Sequence, residues 1–388
     1  MNKELIIRSN SSAVDFALLK DGKLIELNKE VDSNKFSVGD IYLAKIRKPV
    51  SGLNAAFINV GHEKDGFLHY HDLGPNLPSL LKFFKLVSSG KMKDYSLKNF
   101  RFEKEIPKDG SIQDYLKPQQ NIFVQIVKEP ISTKGPRVSS ELSLAGRFMV
   151  LIPFSDRISI SQKIESNAEK TRLKKLVKSI RPKGFGVIIR TVANNQKVKE
   201  LDADLQHLLS RWKNLCLKFT KVDNYPSKIL SEINRSTSIL RDIFDNGFNG
   251  IHVDDPEMQN EIKDYLKIIA PDKVSIVKYF KNKSKPIFDY FGVERQIKTA
   301  FGRTVSMQKG AYLVIEHTEA LHVIDVNSGN RSNKAKSQEQ TALDVNLIAA
   351  SEIARQVRLR DLGGIIVVDF IDLNKNENRK KLFEHLQE

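Results

Sequence analysis

Cysteine is almost absent from this sequence: Cys216 stands alone in 388 residues. One thiol excludes an internal disulfide and any cysteine-rich zinc site within the chain. There is also no apolar run approaching the ~20 residues that a bilayer span requires. The opening stretch, MNKELIIRSNSS, has no signal-peptide apolar segment. Acidic residues are in deficit, with 47 Asp and Glu against 63 Lys and Arg, a formal net charge of +16. These features together lead us to expect a soluble, cytoplasmic protein with a polyanionic partner, either nucleic acid or an anionic membrane surface. Composition does not choose between the two. With 40% hydrophobic residues the chain can build packed cores, and 388 residues suit about two to four modules rather than one.

The pattern of apolar residues divides the chain. Residues 1–37 read as a short β-meander with a hairpin turn at Asp21-Gly22, too small to fold without strands from elsewhere. Residues 38–129 read as a small barrel of short strands joined by glycine-containing turns, interrupted by a polar, basic insertion at 74–118 that is helical around Leu80 to Leu86. On an OB-type barrel, exposed aromatics stack on bases while lysines track phosphates, which singles out Phe57 and Phe67. On the residues alone, core packing is the favoured reading of both rings.

Residues 130–235 form a third unit. A strand enters through Gly146, and Ser166 or Asn167 caps a helix carrying Leu173, Leu176, Val177 and Ile180. A second strand ends in Arg190-Thr191, and a longer helix is marked by Leu201, Leu205, Leu208, Leu209 and Trp212. A guanidinium beside a hydroxyl can take a terminal phosphate, because Arg offers a planar fork of donors, but an isolated Arg-Thr pair is a weak sign of it. Residues 236–300 alternate short helices and strands without a catalytic cluster, and Asp254-Asp255 reads as a strand end and helix cap before Pro256.

The last unit, 301–388, holds the chemistry. TEALHVIDVNSG ends an apolar run in Asp325. EQTALDVNLIAASEIARQVRLRDLGG is helical, with Leu343, Leu347, Ala350, Ala354 and Val357 on one face. GGIIVVDFIDL carries Asp369 in a second apolar run. Strand, crossover helix and strand favour a parallel pair, with both aspartates near the carboxyl ends where open α/β sheets place ligands. An ionised Asp within such a run is costly to bury without a partner, and a divalent cation shared by two carboxylates would be one. Either Asp alone could simply end a strand in solvent. The pair, with Asn327 two residues past the first, favours the metal. His317 and His322 read as structural, and Arg331 to Lys336 as either a contact to a nucleic-acid backbone or a solvated loop.

TEALHVIDVNSG and EIARQVRLRDLGGIIVVDFIDL resemble the catalytic segment of the ribonuclease E/G family, and the resemblance runs from the first residues to about Leu373. It implies a magnesium-dependent endoribonuclease for single-stranded RNA, acting on ribosomal RNA precursors and messenger RNA and leaving a 5′-phosphate. Asp325 and Asp369 would hold Mg²⁺, and Asn327 would orient the attack. Phe57, Phe67 and Lys134 of STKGPRVSS would bind RNA, and Gly146, Val150, Arg190 and Thr191 would bind a stimulating 5′-monophosphate. The implied fold is mixed, α+β and multi-domain. A ribonuclease H-like module (1–37 and 236–300) holds an inserted OB-fold barrel (38–129), followed by a 5′-sensor (130–235) and a deoxyribonuclease I-like α/β module (301–388). Two departures stand out. Where some family members carry paired arginines in an SRRIE-like stretch, this chain reads Ser161-Gln162-Lys163-Ile164-Glu165. The family's two-cysteine zinc link and small dimerisation domain are not among the 388 residues, so a homo-oligomer is the expectation for a full-length form rather than for this chain. The rival to an enzyme is a non-catalytic RNA-binding protein, which would share the charge and the barrel. A third possibility is a metal-dependent phosphoesterase acting on DNA.

Overall fold

The computed structural model describes residues 2–10, 13–31, 36–222, 224–231, 240–241, 243–244, 247–282, 284–329 and 338–387. Arg331 to Lys336 and half of the segment 237–244 lie outside them. No helix among the described residues is long and apolar enough to cross a membrane. The chain forms two compact units, one of residues 1–32, 245–260 and 275–388, the other of 33–244 and 261–274.

The first unit contains two sheets. In one, the N-terminal meander finds the later strands it needs. The order is Val277–Tyr279, Phe248–Val253, Lys3–Asn10, Ala13–Lys20 and Lys23–Val31, with Lys3–Asn10 parallel to Phe248–Val253. Asp21 and Gly22 both take positive φ, 49° and 76°, which is what the tightest hairpin turns demand. Ile6, Ala17, Leu19 and Leu24 pack on Ile287, Phe288, Val293 and Ala300. The last four come from two short helices, Ile287–Tyr290 and Val293–Ala300, separated by Gly292, rather than from the single helix that IFDYFGVERQIKTAF suggests.

The other sheet has the order Thr304–Ser306, Tyr312–His317, Leu321–Asn327, Ile365–Asp369. Only the last pair is parallel, and Gln338–Leu359 is its crossover helix. Leu313, Ile315, Ile324 and Val326 face Val345, Ala349 and Ile353 of that helix. The helix is buried on a second side as well, where Leu343 and Ala350 meet Leu373 and Leu382 near the helix Asn376–Gln387. The helical stripe therefore differs from the expected one: Ala354 is exposed, and the sheet-facing centre is Val345, Ala349 and Ile353.

The second unit is built on a closed barrel of five strands. Ile41–Val50, Ala55–Asn59, Gly66–His69, Arg137–Ser139 and Asn121–Lys128 follow one another, and Leu43 opposite Phe123 closes the ring. Arg137–Ser139 lies beyond the barrel end expected at 129, and Ser227–Leu230 also adds to Ile41–Val50. Strands of three and four residues carry too little alternation to be read from sequence. The insertion contributes the helix Leu77–Ser88, whose Phe83 and Phe84 meet Trp212. A four-stranded sheet follows, in the order Ile158–Ile160, Phe185–Ile189, Met149–Pro153, Leu144–Ala145, with the helices Asn167–Ile180 and Val198–Phe219. One continuous apolar core joins barrel, insertion and this sheet.

Candidate active site and nucleic-acid interface

Asp325 and Asp369 are direct register partners on adjacent parallel strands. Paired residues of neighbouring strands lie about 4.8 Å apart and point to the same face, so the two carboxylates stand side by side. That face is the open one, opposite Ile324 and Val326, and both aspartates are exposed. The expectation that these carboxylates would be buried in apolar runs is thus corrected. Alternation sends the flanking isoleucines and valines toward the helix and the aspartates toward solvent, so no desolvation cost demands a cation. The register itself carries the argument. Among the described residues neither carboxylate is in an ion pair. Asn327 donates from Nδ2 to Asp325 Oδ2 at 2.7 Å, which fixes the rotamer of the carboxylate beside it.

Among the described residues no cluster of three or more His, Cys, Asp or Glu is placed to hold a metal. Two carboxylates with an amide next to them do not make an all-protein cage. They do fit an octahedral, largely hydrated divalent cation that completes its shell with water and substrate phosphate. His317 and His322 are not part of this set. They are opposite one another across the hairpin, their Nδ1 atoms 2.6 Å apart, on the other face from Asp325. The helix Gln338–Leu359 steadies the strand exit beyond Asp369. Buried Asn346 donates to the Ile371 carbonyl at 2.7 Å and accepts from the Ile371 N–H at 3.0 Å.

On the barrel, Phe57 and Phe67 are cross-strand partners with ring centroids 6.1 Å apart, and both are half-buried on the outer face. The core reading of these rings does not hold. Their row runs Lys48, Phe57, Phe67, Arg137 across four strands. A cleft of about 570 Å³ is lined by both rings and by Lys64, Lys128, Lys134 and Arg137. Lys134 sits in a turn closed by reciprocal backbone hydrogen bonds with Ile131. Gly135 after it is obligatory, since a Cβ there would meet the Asp65 carbonyl oxygen at 2.1 Å. Arg137 is held by Asp72 through two hydrogen bonds of 2.9 and 3.2 Å. Lys48 escaped the sequence reading because its bulged strand places it opposite Phe57.

The structure also draws Gly146, Val150, Arg190 and Thr191 together. Val150 is opposite Ile188 and Ala145. Arg190 donates its backbone N–H to Phe148 and its Nη1 to the Gly146 carbonyl, both at 2.9 Å. Thr191 Oγ1 is 3.0 Å from Ser161 Oγ, so the divergent Ser161-Gln162-Lys163 stretch begins at this corner. Asp204, absent from the expected residues, organises the loop. Its carboxylate accepts the N–H groups of Arg147, Phe148 and Met149 at 3.0, 2.8 and 3.2 Å. Burial pushes the Asp204 carboxyl up, and the three N–H donors oppose that. A Cβ at Gly146 would lie 2.6 Å from Asp204 Oδ2. The signal was present in the helix pattern: Leu201, Asp204, Leu205 and Leu208 place a carboxylate on the apolar face.

The Ribonuclease E/G family model matches residues 143–388. Ribonuclease G of Haemophilus influenzae is 33% identical over 386 residues, covering 99% of this chain and 74% of that protein. Ribonuclease G of Escherichia coli K12 is 30% identical over 388 residues, 100% of this chain and 75% of that protein. Ribonuclease E of a Synechocystis species is 35% identical over 360 residues, 92% of this chain and 49% of that protein.

Proposed function

The chain belongs to the ribonuclease E/G family and is an endoribonuclease, and we propose that it cleaves single-stranded RNA with Mg²⁺ held by Asp325 and Asp369. The observation that carries this reading is the register of the two aspartates on one exposed sheet face. Bound there, Mg²⁺ would supply polarisation of the phosphodiester and acidification of an attacking water. Asp325 and Asp369 would hold the cation by their carboxylates, with the Asn327 amide hydrogen-bonded to the Asp325 carboxylate. A water oxygen bonds to phosphorus as the bond to the 3′ oxygen breaks, the water gives up a proton to solvent, the departing 3′ oxygen takes one up as a hydroxyl, and the 5′-phosphate stays on the downstream product.

In this reading Phe57 and Phe67 stack on bases while Lys134 meets a phosphate. Gly146, Val150, Arg190 and Thr191 take the 5′-monophosphate, with the Arg190 guanidinium already steered by the Gly146 carbonyl. The substrates are ribosomal RNA precursors and messenger RNA in the cytoplasm. The barrel is of the OB type. Residues 1–37 and 236–300 form a ribonuclease H-like module, 130–235 the 5′-sensor, and 301–388 a deoxyribonuclease I-like module. The sheet shared by Lys3–Asn10 and Phe248–Val253 supports the first of these assignments.

The test uses Asp325→Asn and Asp369→Asn on matched 5′-monophosphorylated and 5′-hydroxyl oligoribonucleotides, with and without Mg²⁺. Both variants should lose Mg²⁺-dependent cleavage while RNA affinity stays within about tenfold of the parent. Cleavage by the variants at the parent rate rejects the site. Equal parent rates on the two 5′ ends reject the phosphate pocket.

A further inference from the structure

The aromatic surface of the barrel does not stop at Phe67. His69 is two residues along the strand Gly66–His69, on the same face, and its ring lies 6.5 Å from that of Phe67 at an interplanar angle of 29°. His71 follows, its ring 5.0 Å from that of His69. Across the sheet from His69 is Ala55, whose methyl group is too small to cover an imidazole. Four rings, Phe57, Phe67, His69 and His71, thus touch in succession. His69 Nδ1 accepts the backbone N–H of His71 at 3.2 Å. That bond fixes the neutral tautomer with the proton on Nε2, the edge left to donate to a base or phosphate. His71 is exposed and lines a second cleft, of about 370 Å³, that also holds Lys108, Arg157, Glu105 and Glu141. With cations and carboxylates mixed there, ring surface rather than net charge is what this end of the barrel offers.

We propose that His69 and His71 form an additional base-stacking subsite for single-stranded RNA, continuous with the Phe57–Phe67 pair. The proposal rests on the reading of the barrel as an RNA grip, and the experiment separates the two. Stacking surface contributes affinity without releasing counterions. Loss of either imidazole therefore weakens binding and leaves the salt dependence unchanged.

A fluorescein-labelled single-stranded oligoribonucleotide is titrated with the whole protein in EDTA at a fixed pH of about 8. Parent, Phe57→Ala, His69→Ala, His71→Ala and His71→Phe are compared across a range of salt. His71→Ala keeps the backbone N–H that His69 accepts, so it tests the ring without touching the turn. His69→Ala and His71→Ala should each bind roughly fivefold to tenfold more weakly, with the parent's salt slope, and His71→Phe should restore the affinity. Parent-like affinity in both alanine variants, with Phe57→Ala weakened, overturns the subsite and leaves the barrel reading in place. Parent-like affinity in Phe57→Ala as well removes the barrel reading, and the subsite with it.

Discussion

Lys48 ends a row of side chains that crosses four strands, with two phenylalanines between it and Arg137. Arg137 is tied to Asp72, whereas the exposed Lys48 ammonium has a flexible stem and a stacking surface beside it. A lysine placed like this neutralises one phosphate of a strand lying over the rings. For single-stranded nucleic acid each such contact adds about 0.7 to the slope of log K on log salt. Lys48→Ala should therefore lower RNA affinity by roughly threefold at low salt and reduce the slope by about 0.7. An unchanged slope takes Lys48 out of the interface. The same row explains why single residues were unevenly legible. Asp325 and Asp369 were found because each interrupts an apolar run, although the energetic reason first attached to them, burial, was not the operative one. Lys48 was invisible because its significance comes from a cross-strand partner, and Asp204 because a helix stripe was read for its leucines.

At the scale of elements, the crossover helix Gln338–Leu359 does more than cover a sheet. Asn346 is fully buried and satisfies both backbone groups of Ile371, two residues past Asp369. Asn346→Leu leaves that N–H and carbonyl without partners, at about 1–3 kcal/mol each. The strand exit must then shift. A misplacement of about 1 Å is enough to cost up to a hundredfold in rate, so kcat should fall about tenfold or more while RNA affinity holds. An unchanged kcat would make the clamp irrelevant to the carboxylate pair. The existence of this helix was legible from its period, but its exact stripe was not. A helix buried against both a sheet and a second helix has two apolar faces, and a single-face template fits neither.

The helix Asn167–Ile180 clamps the other site. Glu169 pairs with Arg172 and accepts the Asn195 N–H, while Arg172 reaches the Gln196 carbonyl, pinning the loop that follows Arg190-Thr191. The Arg172 hydrogen bond first, and the Asn195 N–H with it, hold the Glu169 carboxyl down at about 2 against an ordinary 4.5. A lowered carboxyl pKa contributes stability that is present above the unfolded value and lost as pH falls from 4.5 through about 2. The urea midpoint of Glu169→Gln should accordingly lie below that of the parent near pH 5, and the gap should shrink by about pH 3. A gap constant over that range would mean the carboxylate is not ionised preferentially in the folded state.

For the whole molecule, the order of segments along the chain decides what can stand alone. The net charge of +16 foretold a polyanionic partner. Yet charge says nothing of how 388 residues are divided, and the short strand Arg137–Ser139 that completes the barrel was the least legible of all. Its partner Gly66–His69 lies tens of residues away. The first unit is assembled from three separate stretches, and its strand Lys3–Asn10 has Phe248–Val253 as a parallel neighbour. The largest apolar cluster of the second unit, by contrast, is drawn from residues between Phe36 and Leu230, with Leu240, Phe244, Ile262 and Leu266 of the same unit buried outside it. A fragment of residues 36–231 thus keeps every member of that cluster, while a fragment of residues 1–244 adds a meander whose Leu5, Ile6 and Ile7 have lost the strand beside them. The shorter fragment should unfold in one cooperative urea transition and bind single-stranded RNA with no cleavage. The longer one should bind no better, and should expose apolar surface that a hydrophobic dye reports, because three strands with one face uncovered are too little to fold alone. Failure of the 36–231 fragment to fold, with the full chain intact, would mean that its core is insufficient without residues 261–274, which cluster with the same unit.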